Sequence, residues 1–312
     1  MATTDITGGT DPRESQQSKA LEERLQNKVH QAFAAAGPRG QRAKNFLNGT
    51  WLGHPLHAVL TDVPVGAWTA ALVCDGLAMK SGSESLATAA SACVATGLVG
   101  ALGAAVTGIT DWQDADAPAR RLGLLHGLFN LAGTALFAAS LLARWRKAQT
   151  AGRLLGGLGY GAVTCGARLG GKMVFEHRVG VDRTAGQDFP ADFVPVLADS
   201  ALAEGQPARV EHAGVPILLV RRNGRIFAMA ETCSHFGGPL SEGKLTDESI
   251  ECPWHHSRFA LEDGRVLDGP AVHPQPCLEA RVRNGRIEVR QPPCPGAKLV
   301  AGGQPDQLPI SA

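Results

Sequence analysis

Two short stretches towards the C-terminal end combine the residue types that hold metals. The first reads Cys233-Ser234-His235-Phe236-Gly237-Gly238-Pro239, and the second Cys252-Pro253-Trp254-His255-His256-Ser257-Arg258-Phe259. As spacing this is C-x-H, sixteen residues, then C-x-x-H. Thiolates are soft, electron-rich ligands and imidazole is a neutral one. Two of each can hold a structural zinc ion or a diiron cluster. Zinc fingers group two cysteines in one knuckle and two histidines on a helix. Here each stretch supplies one Cys and one His, which favours the cluster. His256 follows a ligand position but falls outside the spacing, and reads as a neighbour.

The elements that must position these loops are short strands. After Val181 the sequence turns to brief β-like runs, at Phe193–Leu197, Ala208–His212, Pro216–Arg221, Arg225–Ala230, Ser249–Cys252, Arg258–Ala260, Leu278–Val282 and Arg286–Val289. Asn223-Gly224, Asp263-Gly264 and Asn284-Gly285 are turn signals between them. Many short strands at close spacing predict a small all-β domain over about residues 190–290. Residues 291–312, with several Pro and Gly, read as a disordered tail.

With loops and strands taken together, this segment resembles the Rieske [2Fe–2S] ferredoxin-type family. The resemblance implies that Cys233 and Cys252 ligate a buried iron, and that His235 and His255 ligate the outer iron through Nδ1. Pro270, in Gly269-Pro270-Ala271, matches a third loop that covers the cluster, while Phe236, Trp254, His256 and Ser257 surround it. Quinol-oxidising members carry an extra cysteine in each loop, at positions held here by Gly238 and Trp254. Phe259 stands where high-potential members have a tyrosine. Two imidazoles in place of two thiolates put such clusters at about −150 to +300 mV, against about −400 mV for plant-type ferredoxins. Losing the phenol's hydrogen bond places this one in the lower part of that range, lifted somewhat by the Ser257 hydroxyl.

The rest of the chain is of another kind. With 312 residues there is room for two or three domains, and 30 basic against 29 acidic side chains give no sign of a nucleic-acid partner. Seven cysteines in so long a chain do not form a small secreted disulfide framework. Residues 1–30 contain charges and no apolar run, so no secretory signal is expected. The mean hydropathy of −0.04 hides a stretch from 51 to 175 rich in Ala, Gly, Leu and Val.

Residues 1–50 read as a polar tail, disordered to about residue 20. From Lys19 to Ala36 an amphipathic helix places Leu21, Leu25, Val29 and Phe33 on one side, and Gly37 to Gly40 end it. Four apolar segments follow, at about Pro55–Met79, Leu86–Ile109, Leu122–Ala143 and Leu154–Phe175. A helix needs about 20 mostly apolar residues to cross the hydrocarbon. The middle two meet this with no charged residue; Asp62 and Asp75 interrupt the first, and Arg168 the fourth. Gly157/Gly161 and Gly166/Gly170 have small-xxx-small spacing. The expected fold class is therefore multidomain: an all-α four-helix transmembrane bundle over 51–182, then the all-β Rieske domain. Eight basic residues (Arg39, Arg42, Lys44, Arg120, Arg121, Lys172, Arg178, Arg183) stand on the side of both termini, against five on the other (Lys80, Arg144, Arg146, Lys147, Arg153). That bias predicts a bacterial inner-membrane protein with its Rieske domain in the cytoplasm.

Polar residues within spans are functional candidates. His54, His57 and Asp62 open the first segment, Asp111 closes the second, and His126 lies one turn into the third. Together they could bind haem b, a metal ion or a quinone head group, relay protons, or simply cap helix ends. The run from His54-Pro55-Leu56-His57 through Asp62-Val63-Pro64-Val65-Gly66, with Gly170-Gly171-Lys172-Met173-Val174-Phe175, resembles an uncharacterised bacterial four-helix membrane-domain family. The expected function is a one-electron carrier in the lipid bilayer, serving a redox partner protein (a reductase or an oxygenase) or a quinone. A component of an oxygenase system and a redox sensor are the alternatives. An oxygenase subunit needs a large domain with a two-His, one-carboxylate triad, and only about 22 residues follow the Rieske segment.

Overall fold

Apolar side chains on every face of a helix ask for burial in lipid or in other helices, and the N-terminal half supplies such helices. The structure, a computed structural model, describes residues 12–292 apart from Asp247. Its helices are α1 (Pro12–Ala35), α2 (Gly37–Asn48), α3 (Leu56–Ser81), α4 (Glu84–Trp112), α5 (Ala117–Trp145) and α6 (Gln149–Phe175). Local chemistry sets their ends. The Ser83 hydroxyl and the Asp116 carboxylate accept from the backbone N–H groups of Leu86 and Ala119 at the starts of α4 and α5. Gly82 closes α3 in a left-handed conformation.

Three of these helices, α3, α4 and α5, are long and apolar enough to cross a membrane. The expectation of four is corrected here. α6 is a full-length helix in the bundle, but Arg153, Arg168 and Lys172, with a glycine-rich remainder, lower its hydropathy. The expectation of a single amphipathic helix is corrected too. Residues 12–20 are helical, and α2 continues past Gly37. Residues 1–11 and 293–312, which hold the rest of the expected tails, lie outside the described residues.

The bundle is two hairpins, α3–α4 and α5–α6, drawn together by bulky side chains entering glycine-lined gaps. The Trp68 and Phe137 rings stack with centroids 4.1 Å apart, and Gly97 leaves the space that the Trp68 indole occupies. Gly133 and Gly159 let α5 and α6 approach backbone to backbone. Of the glycine pairs read from spacing, Gly166 and Gly170 face Asn130 and His126 of α5, whereas Gly157 and Gly161 face open space.

Asp75, which had no evident partner in the sequence, is buried at the far end of the bundle against Arg144. The guanidinium donates to both carboxylate oxygens, at 2.9 and 2.5 Å. Its Nε donates to Ser140 Oγ, and Gly152 leaves room for the side chain. Arg153 lies 3.6 Å from the same carboxylate. Arg144 is only 4% exposed, so it is a tie between α3 and α5 and not the loop charge it resembled.

α1 lies across the turn between α4 and α5, and its inward face is polar. Glu22 and Gln26 are buried, whereas Leu21 is exposed, contrary to the expected apolar stripe. The reason is the C-terminal end of α4, whose last carbonyls lack helical donors. Gln26 Nε2 donates to the carbonyls of Trp112 and Ala115, at 2.9 and 3.0 Å. His30 Nε2 reaches the Gln113 carbonyl, and Arg120 pairs with Glu22 and Glu23.

The C-terminal half is all antiparallel β. A six-stranded sheet has the order β1-β10-β9-β4-β3-β2, from β1 (Val194–Ala198), β2 (Ala208–His212), β3 (Val215–Arg222), β4 (Arg225–Ala230), β9 (Cys277–Arg283) and β10 (Arg286–Arg290). A smaller sheet has the order β5-β6-β7-β8, from β5 (Lys244–Leu245), β6 (Ser249–Glu251), β7 (Arg258–Ala260) and β8 (Val266–Asp268). Asn223-Gly224 and Asn284-Gly285, all with positive φ, make the tight β3–β4 and β9–β10 turns. Ile217-Leu218-Leu219-Val220 is apolar without alternation because both faces of β3 are covered. Leu218 and Val220 enter one core with Ile250 and Phe259, while Ile217 and Leu219 enter another with Ile287 and Val289.

Removing one partner of a buried ion pair strands the other at a cost of about 3–5 kcal/mol. Arg144→Leu is therefore expected to lower the thermal stability of the detergent-solubilised protein. The Arg144→Leu/Asp75→Leu double variant should regain most of it. A single variant as stable as the parent would show that Arg153 alone satisfies Asp75.

Candidate metal centre

The first loop joins β4 to β5, the second joins β6 to β7, and a third, from Gly269 to Pro276, joins β8 to β9. The first two are closed turns on their cysteines. Cys233 N–H donates to Gly238 O, and Gly237 N–H returns to Cys233 O, each at 2.9 Å. Cys252 N–H donates to Ser257 O at 2.8 Å, and His256 N–H to Cys252 O at 3.1 Å. The turns aim further N–H groups at sulfur. Those of His235 and Phe236 reach the Cys233 thiol, and those of Trp254 and His255 reach Cys252.

The two loops bring Cys233 and Cys252 together, both buried, with their sulfurs in hydrogen-bonding contact. That contact and burial push the Cys233 thiol well above its ordinary range. The same contact draws Cys252 down to about 7. The His235 and His255 rings lie edge to face with centroids 5.1 Å apart. Burial, then the neighbouring imidazole, lowers His235 well below the usual histidine value, and burial also lowers His255. Both shifts favour the neutral imidazole, the form that ligates metal. His235 Nδ1 is buried with no hydrogen-bond partner. Among the described residues, no three His, Cys, Asp or Glu side chains converge on a point where one metal ion could sit. The donors stand as a sulfur pair and an imidazole pair.

The surrounding residues fall close by. Phe236 packs against both imidazoles, at 4.4 and 5.6 Å between centroids. Ser257 is fully buried, and its Oγ accepts from Ala271 N–H at 2.9 Å, which leaves the hydroxyl hydrogen for another acceptor. Gly238 and Trp254 are neighbours: a Cβ on Gly238 would lie 3.0 Å from the indole and 2.8 Å from Cys252 Sγ. His256 points away, its Nδ1 2.9 Å from Glu251 Oε1 and its side chain largely exposed. Phe259 is fully buried beneath the cysteines. Pro270 follows Gly269 in the third loop through a cis peptide bond.

Gln275 had no signal in the sequence. It is 1% exposed, and its amide ties the first loop to the third. Nε2 donates to Ala230 O and Thr232 O, and Oε1 accepts from Ser234 N–H at 3.1 Å. A lone Gln between two prolines shows its role only once the loops are side by side.

Residues 192–283 match the Rieske [2Fe–2S] domain family. The ferredoxin component of biphenyl 2,3-dioxygenase from Rhodococcus jostii is 37% identical over 79 residues, covering 25% of this chain and 74% of that one. The chain belongs to the Rieske iron–sulfur family. The ferredoxin subunit of anthranilate 1,2-dioxygenase from Burkholderia cepacia is 31% identical, over 32% of this chain and 92% of that protein. Apoptosis-inducing factor 3 of Homo sapiens is 32% identical over 89 residues, but this chain spans only 15% of its length. Residues 53–183 match the predicted membrane protein family DUF2231. The paired sulfurs, the imidazoles and the unpartnered His235 Nδ1 suit a [2Fe–2S] cluster.

The five polar residues expected to form one membrane site do not converge. His57 of α3 and His126 of α5 do meet, with ring centroids 6.3 Å apart. Each is tied through Nδ1 to a backbone carbonyl of the next helix, Ala104 and Gly166 respectively, both at 2.8 Å. Gly108 and Gly170 make room for the two rings. Asp111 sits at the α4 end beside Asp114, and His54 and Asp62 are exposed. These histidines act as clamps between helices.

Orphaning buried polar groups costs about 1–3 kcal/mol each, so Gln275→Leu should loosen the first loop. The expected result is faster loss of the cluster on mild heating, followed by visible absorbance, with far-ultraviolet dichroism unchanged. Gly238→Ala, whose methyl would collide with Cys252 Sγ, should lower iron content per chain in protein that still folds.

Proposed function

We propose that this protein is a membrane-anchored one-electron carrier, with Cys233, His235, Cys252 and His255 as the cluster ligands. The observation that carries the reading is the pairing of donors: two sulfurs held in the core by loop N–H groups, and two imidazoles edge to face beside them. When bound, the cluster would accept and release single electrons. The protein's own part is to keep the sulfurs out of water and the imidazoles oriented at the edge. Ser257 would offer its free hydroxyl hydrogen to cluster sulfur. With Phe259 in the core in place of a phenol, the potential belongs to the lower, ferredoxin-like part of the Rieske range.

The division we infer is a helical half over 51–182 and a β half over 190–290. α3, α4 and α5 supply the apolar length for a bilayer, and the distribution of basic residues favours a bacterial inner membrane with the β half on the cytoplasmic side. The exchange partner is a redox protein. The ferredoxin relatives are components of dioxygenases, which supports an oxygenase or its reductase.

An oxidised-minus-reduced optical spectrum of the detergent-purified protein, with iron and acid-labile sulfide measured, tests the reading. Rieske bands with two irons and two sulfides per chain are expected. Cys233→Ser and His255→Ala should each abolish the bands while the helical dichroism and membrane insertion persist. Retained bands in either variant would overturn the ligand assignment.

A further inference from the structure

The cluster loops are docked on the chain's own helical half. Asn45 of α2 donates through Nδ2 to Asp268 Oδ1 and accepts at Oδ1 from Gly269 N–H, both at 3.0 Å. Gly269 sits so close that an added Cβ would lie 3.0 Å from Thr50 Cγ2 and 3.2 Å from Asn48 Nδ2. On the first loop, Arg183 N–H donates to Ser234 O at 3.0 Å. The Arg183 guanidinium lies 5.4 Å from the centre of the Phe236 ring, the same ring that packs on His235 and His255.

Charge comes with this contact. Lys44, next to Asn45, is buried with its Nζ 3.0 Å from Asp114 Oδ2 in the turn between α4 and α5. Lys44 thus stands one residue from the α2 side chain that holds the third loop, and Arg183 stands on the first loop beside the ring that packs on both imidazoles. An added electron makes a cluster more negative, so a nearby cation stabilises the reduced state and an anion destabilises it. Away from water these effects weaken slowly with distance.

We propose that α2, the α4–α5 turn and Arg183 form a resident docking surface for the histidine side of the Rieske half, on which Lys44 and Arg183 raise the cluster's reduction potential and Asp114 lowers it. This rests on the cluster reading above. It makes the helical half a determinant of the redox chemistry as well as an anchor.

The test is a redox titration of the full chain in detergent, followed by the cluster's electron paramagnetic resonance signal. Lys44→Gln and Arg183→Gln should shift the midpoint to lower potential, and Asp114→Asn to higher potential. Lys44→Arg, which keeps the charge, should restore the parent value. If Lys44→Gln does not fold, Arg183→Gln and Asp114→Asn still decide through their opposite signs. Unmoved midpoints, or shifts of one common sign, would overturn the docking-surface proposal while a Rieske signal in the parent leaves the cluster reading standing. No such signal in folded parent protein would overturn both.

Discussion

Two sulfurs side by side in a protein interior are the constraint on which the β half depends. To hold a cluster they would have to stay close together, out of water, and supplied with N–H donors that tolerate negative charge. Each loop meets this by turning on its cysteine, so that the two residues carrying N–H groups to sulfur include the histidine or stand next to it. The small sheet holds the second loop against the β3–β4 hairpin, and Gln275 ties the first loop to the third. Gly238 is glycine because a Cβ there would enter the space of Cys252 Sγ.

The helical half follows a different rule. Its helices are apolar outside, so the polar groups they contain must be satisfied by one another. The Asp75–Arg144 pair does this at one end. At the other, α1 supplies amide, imidazole and carboxylate groups to the carbonyls and arginine of the α4–α5 turn. His57 and His126 serve their hairpins in the same way, each meeting a carbonyl of the adjacent helix. Glycines opposite the bulky and charged side chains make these approaches possible.

The two rules meet at α2. Its inward face carries Lys44 and Asn48, and the adjoining Asn45 engages the third Rieske loop. A contact built from the Asn45 amide, the Arg183–Ser234 hydrogen bond and one cation–ring approach is specific without being a large apolar seam.

Cluster type, ligand spacing and most strands were legible in the sequence because they depend on neighbours within a few residues: C-x-H, C-x-x-H, and Asn-Gly turns flanked by β-branched runs. The long apolar helices were legible for the same reason. What only tertiary structure decided were pairings far apart in the chain. Asp75 finds Arg144, Gln275 reaches back to Ser234, and Asn45 crosses to Asp268. The polar inner face of α1 contradicted its apolar period because the need came from carbonyls at the end of α4. The five polar residues of the membrane half had the right types for a site, but only His57 and His126 come together. Residue type and spacing determine which chemistry is possible here; the side chains that face one another after folding determine where it occurs.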